Sequence, residues 1–475
     1  MRGFIVTFLL LWAAGCDPSV FDDIKDNTPV IDIERPSALQ YERFGARVHG
    51  YRFDIEGNSL SRLAMSSGPG SAIRINQGWT GEHLEITKRA IDVCLDDVTC
   101  DGAANQARSM VPLRQWDGES MCMAAVGSES SSMPNAGVVV VCESEPMRRA
   151  SLKVPSSVGF GEASAELPPS VLSLGLALVG APLMNSGDGG VYLLLDAKPP
   201  SPLILSDHSA VQGKQGALGT AVAAGAWDAD SALVAMTAPK TRTLVLGLLK
   251  EGSATLEVHA CLQGQSPWRP MAVTIGDINQ EHTASDAPRP DLIVHVDSDG
   301  DGAADRIEIY DGKDVPPASG CNPWDGDPVL IDCPQGLSEE LRCIDANFAA
   351  SAAIGDINGD GVGDLLVGAP DAAIGGKLSS GAVVVFPGGA RTTSGALRFG
   401  EPVLVAHPDP STGAMLGSSV TTVSTGNGAA RRDELVAGAP GIDDASGAVT
   451  VFLCTPLLGD LSSEQGLDAR CVPEE

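Results

Sequence analysis

The sequence predicts an all-β fold made of seven repeated units, on three observations. A pattern of roughly 40 residues recurs along the chain, its strands are short and rich in Val, Leu and Ile, and its composition favours turns. Gly numbers 55 and Pro 32 against only 4% aromatics. Tight turns use the conformations open to Gly and the φ that Pro fixes, so this balance suits many short strands better than long helices.

The clearest copy spans 349–389 and reads AASAAIGDINGDGVGDLLVGAPDAAIGGKLSSGAVVVFPGG. It holds a short alternating strand, an acidic Gly-containing loop, the apolar strand LLVGAP and a second strand GAVVVF. The same order returns at 416–453, with GAP at Gly438, Ala439 and Pro440. It returns again from Phe160, where GAP falls at Gly180, Ala181 and Pro182. Degenerate copies fill the intervals: 44–75 with SGP in place of GAP, 218–248 with TAP, and 121–142, which keeps two strands but loses the FG pair. A seventh unit, 271–312, replaces GAP by an acidic loop. One such sheet cannot bury its apolar faces alone, so the units must pack on one another around a ring. Gly at the turns permits backbone closed to residues with a Cβ, and Pro ends a strand where no donor is needed.

These units closely resemble the FG-GAP repeats of integrin alpha chains and their bacterial relatives. The resemblance covers nearly the whole chain after its first residues and implies a seven-bladed β-propeller over 30–460, with disulfide-pinned loop insertions. Outer fourth strands are expected at PLILSD from Pro202, TLEVHA from Thr255 and PVLVAH from Pro402. Insertions are expected at about 76–119 and 313–346. The segment PVIDIE from Pro29 is placed to complete the last blade, which would remove an exposed sheet edge.

Residues 1–15 read as a signal peptide: Arg2 precedes an apolar run from Phe4 to Trp12, followed by Ala13, Ala14, Gly15 and Cys16. The run is too short to span a bilayer as a helix. Its end resembles the lipobox of bacterial lipoproteins, although Ala13 stands where the family prefers Leu, and implies that Cys16 is lipidated and anchors the chain to a membrane of the bacterial cell envelope. Residues 16–29 then form a linker and 461–475 a tail.

Of 11 cysteines, ten remain after Cys16, an even number suited to disulfides in an exported chain. Spacing suggests Cys94 with Cys100, Cys122 with Cys142, Cys333 with Cys343 and Cys454 with Cys471, which leaves Cys261 with Cys321. No Cys/His cluster offers a zinc site.

A net charge of −30, with 61 acids against 31 bases, opposes nucleic-acid binding, because phosphate contacts need clustered Lys and Arg. Calcium or a basic surface is the better partner. The loop DINGDGVGD places Asp356, Asn358, Asp360 and Asp364 at positions 1, 3, 5 and 9, with the carbonyl of Val362 at 7. Calcium takes six to eight oxygens, and alternate residues of a tight loop turn theirs inward. This loop resembles the family's calcium loop residue for residue. A second candidate, DSDGDGAAD, sets Asp297, Asp299, Asp301 and Asp305 at the same spacing with the carbonyl of Ala303, but between the second and third strands, where GAP belongs.

Catalysis finds little support. The seven His residues are scattered singly, and no nucleophile elbow, phosphate loop or dinucleotide fingerprint occurs. The expectation is a monomeric, calcium-binding scaffold for a protein or glycan ligand. A hydrolase or lyase at the central channel and a purely structural envelope component are the alternatives.

Overall fold

The computed structural model describes residues 30–452, except 35–44, 67–72, 81–89, 94–106, 128–136, 143–147, 154–158, 172–176, 279–288, 335–345, 390–396, 426–431, 443–445 and gaps of one or two residues elsewhere. The expected signal peptide, Cys16, Cys94, Cys100, Cys343, Cys454, Cys471 and the tail lie outside the described residues.

Strands dominate the described residues, in seven sheets of four or five strands, antiparallel but for one edge pair, and one two-stranded sheet of Gly388–Gly389 with Arg398–Phe399. Sheet 1 comprises Arg47–Ile55, Asn58–Ser66, Ile73–Thr80 and Ala90–Val93; sheet 2, Ala107–Trp116, Glu119–Gly127, Gly137–Cys142 and Arg148–Lys153; sheet 3, Ser164–Glu166, Ala177–Gly180, Val191–Leu194 and Ser201–Pro202. Sheet 4 comprises Val222–Ala226, Ser231–Ala238, Thr243–Lys250 and Thr255–Gln263; sheet 5, Arg269–Gly276, Asp291–Asp297, Arg306–Tyr310 and Val329–Asp332. Sheet 6 comprises Ser351–Gly355, Asp364–Ala369, Ala382–Phe386 and Val403–Val405; sheet 7, Ser419–Thr425, Arg432–Ala439, Ala448–Phe452 and Val30–Glu34. The fold is a β-propeller in which at least six of these sheets are blades. Val30–Glu34 pairs antiparallel with Ala448–Phe452, so the start of the described chain completes its last sheet.

The first strands of the sheets touch in cyclic order, including Ser419–Thr425 against Arg47–Ile55. Apolar clusters fill the seams between them. Phe160, Val179 and Tyr192 of sheet 3 pack with Val111 and Val138 of sheet 2, while Ile293 and Ile307 of sheet 5 pack with Leu365 and Val384 of sheet 6. Second strands such as Ser231–Ala238 and Asp364–Ala369 are buried along their whole length. Both faces are covered, which is why they read as unbroken apolar runs rather than alternating ones. Each fully buried Val or Leu contributes about 1.5–3 kcal/mol.

The FG and GAP residues make the seam. Within a unit, the glycine of FG donates its amide to the first residue of GAP: Gly161 to Gly180 at 2.9 Å, Gly417 to Gly438 at 3.0 Å, and Gly219 to Thr237 at 3.0 Å. Across three seams the GAP glycine lies against the FG carbonyl of the next unit. A Cβ on Gly180 would overlap the oxygen of Gly219, one on Gly368 that of Gly417, and one on Gly438 that of Gly45. The last contact joins the end of the repeat to its beginning in the same way as its neighbours. Ser419 Oγ donates to Gly45 O at 3.0 Å as Ser351 Oγ donates to Gly417 O at 2.8 Å.

Four expectations need correction. Residues 76–119 are not an insertion: they continue Ile73–Thr80, hold Ala90–Val93, and supply the first strand of sheet 2, Ala107–Trp116. In 44–75 the residue equivalent to the GAP glycine is Ser66, which accepts from Gly45 N at 3.0 Å, so the matching triplet starts one residue before SGP. The segment PLILSD does not form one outer strand. Ser201–Pro202 ends sheet 3, and Ile204–Leu205 crosses to pair in parallel with Thr255–Gln263 of sheet 4. Finally, 313–346 is only partly an insertion, because Val329–Asp332 is the outer strand of sheet 5. The expected outer strands from Thr255 and Pro402 are present.

Two expected disulfides are present, Cys122–Cys142 and Cys261–Cys321. The first joins directly opposed residues of sheet 2. The second fastens the segment after the third strand of sheet 5 to the outer strand of sheet 4, where Ser319 N and Gly320 N also donate to His259 O and Val258 O, both at 3.2 Å. Together with Ile204–Leu205, this segment covers an otherwise open sheet edge. Cys333 is disulfide-bonded as well, to a residue outside the described ones.

Candidate metal loops

The 356–364 loop joins the first two strands of sheet 6, the place the sequence indicates. Its curvature is set by side chains accepting amides a few residues ahead. Asp356 Oδ2 accepts from Gly361 N at 3.0 Å, Asn358 Oδ1 from Asp360 N at 2.9 Å, and Asp360 Oδ1 from Val362 N at 2.7 Å. Asx turns of this kind are favoured by Asp and Asn. Gly359 at φ 73° and Gly361 at φ 85° take the left-handed backbone that the tight winding requires.

Asp364 opens the second strand and is fully buried. Its Oδ2 accepts from Ile357 N at 2.9 Å and Asn358 N at 3.4 Å, and its Oδ1 from Gly388 N at 2.8 Å. Burial pushes its carboxyl up to about 6, against the opposing pull of those amides. Burial also raises the carboxyl of Asp356, helped by the charges of Asp360 and Asp433. Asp356 Oδ1 is buried with no well-formed hydrogen bond, although the amide of Gly359 also bears on this carboxylate. A buried carboxylate oxygen left in this state is costly, and a cation is one remedy for it. Among the described residues no Lys, Arg or His pairs with Asp356, Asp360 or Asp364.

The 297–305 loop joins the second and third strands of sheet 5. It repeats the winding: Asp299 Oδ1 accepts from Asp301 N at 3.0 Å and Asp301 Oδ1 from Ala303 N at 2.8 Å. Oxygens of Asp297, Asp299 and Asp301 lie within 4.8 Å of one another. Its charge balance differs, however. The buried Asp297 has Arg269 at 3.3 Å on Oδ2, besides the amides of Gly300 and Gly302. Asp305 spends both oxygens on Ser298, its amide at 3.0 Å and its hydroxyl at 2.9 Å. The structure therefore gathers three of the four acids here and turns the fourth to hold the loop.

Two roles escaped the sequence reading. Asp291 sits in sheet 5 where Asp364 sits in sheet 6 and accepts from Ile278 N at 3.2 Å and Gly312 N at 3.3 Å, the counterparts of Ile357 and Gly388. An Asp at this position is thus an anchor for two backbone turns. In Asp364 anchoring and ligation are compatible at Oδ1, which accepts from Gly388 N alone and keeps a second lone pair. The signal was the shared D-L-[IL]-V start of the two strands, Asp291 to Val294 and Asp364 to Val367. Secondly, His295 replaces the GAP glycine of sheet 5 and meets Ala349 O, at the FG position of sheet 6, with its Nδ1 at 2.8 Å. It bridges the seam that the glycines elsewhere close by contact.

Comparison with known proteins agrees with this geometry. The FG-GAP repeat model matches residues 348–386. No curated protein matches the chain. Solved structures of similar outline include a provisionally assigned 6-phosphogluconolactonase from Bacteroides uniformis, at 10% identity and TM-score 0.39, covering 78% of this chain and 89% of that one. A protein from Lactobacillus plantarum matches at 12% identity and TM-score 0.38 over 84% of this chain and 93% of its own. One of unknown function from Dyadobacter fermentans matches at 10% identity and TM-score 0.39 over 89% and 98%. At these scores the likenesses carry nothing about activity. With the match on sheet 6 and the FG-to-GAP contact made at three seams, the chain is a β-propeller that carries an FG-GAP repeat at 348–386.

Proposed function

We propose that the chain is a calcium-stabilised interaction scaffold of the bacterial cell envelope. In this reading it is a ring of seven blades, anchored through lipidated Cys16 and binding a protein or glycan partner through loops on one face. The observation that carries it is the buried Asp356 Oδ1, without a well-formed hydrogen bond, in a loop of three carboxylates that faces no cation among the described residues. Asp356, Asn358, Asp360, the carbonyl of Val362 and Asp364 are the residues that would hold calcium. Bound there, the ion would neutralise the three carboxylates and cross-link the loop through oxygen ligands alone. The 297–305 loop is a second candidate: its Asp297, Asp299 and Asp301 already gather their oxygens within 4.8 Å, while Arg269 compensates Asp297 in part.

The cyclic contacts of the first strands support a seven-bladed ring closed by Val30–Glu34. The scaffold reading draws support from those same strands. Three of the seven, Val222–Ala226, Ser351–Gly355 and Ser419–Thr425, carry no titratable side chain, and Nδ1 of His259 and of His295, on other strands, meets a backbone carbonyl. Acid–base chemistry needs such groups converging on one point.

Capture from envelope extracts tests the partner. Immobilised protein should retain its ligand in millimolar calcium and lose it in chelator, and Asp360→Ala should lose at least half the recovery. Equal recovery in every condition would remove calcium from the binding function. Anchoring has its own check: Cys16→Ala should shift the protein from the membrane to the soluble fraction, and unchanged partition would place the anchor elsewhere.

A further inference from the structure

We infer that Asp433 couples the 356–364 loop to the sheet that closes the molecule, so that calcium on the loop tightens sheet 7 against sheet 6. The inference rests on the calcium reading above and adds to it a residue outside the ligand set.

Asp433 lies in the second strand of sheet 7, buried at 8% exposure. It holds the first residue of the loop by both backbone polar groups. Its own amide donates to Asp356 O at 2.8 Å, and its Oδ2 accepts from Asp356 N at 3.0 Å. Its other oxygen accepts from Ser424 Oγ at 2.5 Å, which fixes the carboxylate from within sheet 7. The approach is close. A Cβ on Gly355 would stand 2.6 Å from Thr422 Cγ2 and 3.0 Å from Asp433 Oδ2, so only glycine fits beside the clamp.

Both oxygens of Asp433 are thus engaged, and it acts as a positioning residue. Its negative charge nevertheless stands against that of Asp356 across the seam, and Asp356 also faces the charge of Asp360. With the loop empty, repulsion between these acids opposes the two hydrogen bonds that join the sheets. An ion on the loop removes that opposition and leaves the bonds. Sheet 7 also carries Val30–Glu34 and the Gly438 contact with Gly45, so the tightened seam is the one that joins the last repeat to the first. Coupling of this kind is reciprocal: loosening sheet 7 must weaken calcium binding by the same factor.

Hydrogen exchange of the protein, with calcium as the only added ligand, reads the coupling directly. Calcium should slow exchange at 448–452 and 30–34 by about tenfold, within the usual coupling range, while 137–142 in sheet 2 stays unchanged. Asp433→Ala should still bind calcium by calorimetry yet lose that slowing. Asp433→Asn keeps an acceptor for Asp356 N without the charge, so its calcium-free exchange at sheet 7 should slow toward the calcium-bound parent. The Asn variant decides alone if Asp433→Ala does not fold. Binding that protects only 356–364, or variants that behave as the parent, would overturn the coupling and leave the calcium site standing. Absence of calorimetric binding in the parent would overturn both.

Discussion

Gly438→Ala is expected to destabilise the protein by about 3 kcal/mol, and Gly180→Ala and Gly368→Ala should cost a similar amount, as overpacking of a tight contact does. Each added methyl would overlap the carbonyl oxygen of the next unit's FG glycine. Neither backbone can yield without pulling its own sheet out of register, because the facing glycine is tied by its amide to its own GAP position. At Gly438 the intruding Cβ would also crowd Ser419 Oγ at 2.6 Å, putting at risk the hydroxyl bond to Gly45. Opening that bond adds about 1 kcal/mol. Denaturant unfolding of the three variants in parallel is the measurement. Equal losses mean that the joint between last and first repeat is as tight as those within the chain. A loss below about 0.5 kcal/mol at Gly438 alone, the level of an ordinary surface change, would mean that this joint stands open.

His295 should make the protein acid-sensitive, by about 3 kcal/mol between pH 6.5 and 4. Burial lowers its pKa from 6.5 to about 4, partly opposed by the bond to Ala349 O. Its Nε2 is buried without a partner, so a proton there has nothing to meet. The sign follows from the proton balance. Between the two pKa values the unfolded chain binds the proton and the native one does not, so stability is complete above pH 6.5 and is lost as pH falls toward 4. His49 is lowered to about 4 by burial in the same way and adds to the slope. Asp364, raised to about 6, works in the opposite sense over part of this range. The clean readout is therefore the difference between the parent and His295→Gln, which cancels the other groups. Glutamine can still donate to Ala349 O, and its advantage over the parent should grow as pH falls. A difference that stays constant from pH 7 to 4 would mean that His295 is not held neutral.

The repeat made the architecture legible because each unit carries its own seam residues. Phe160, Gly161, Gly180 and Pro182 are spaced in sequence as they are used in space. Two disulfides were readable for a related reason, Cys122 and Cys142 being opposed on adjacent strands and Cys261 and Cys321 remaining once local pairs were drawn. The misread segment 76–119 shows the limit. Its strands IRINQGWT and AIDV are polar in part and carry no FG or GAP, so a period counted from those motifs skips them. Asp433 was illegible for a deeper reason: it acts on backbone atoms 77 residues away, a tertiary relation that no local spacing encodes. His295 stood at a GAP glycine in the alignment and could have been found by asking what a large polar side chain would do there.

The claim that calcium holds this propeller together is tested most directly by thermal unfolding of the protein with and without the ion. Binding to the native state alone stabilises it by about 2.7 kcal/mol when free calcium is a hundredfold above the dissociation constant. The melting temperature should rise with calcium and fall in chelator, and Asp360→Ala should lose most of the shift, keeping whatever the 297–305 loop supplies. An unchanged shift in that variant would place the ion elsewhere, and a parent protein indifferent to calcium would contradict the account.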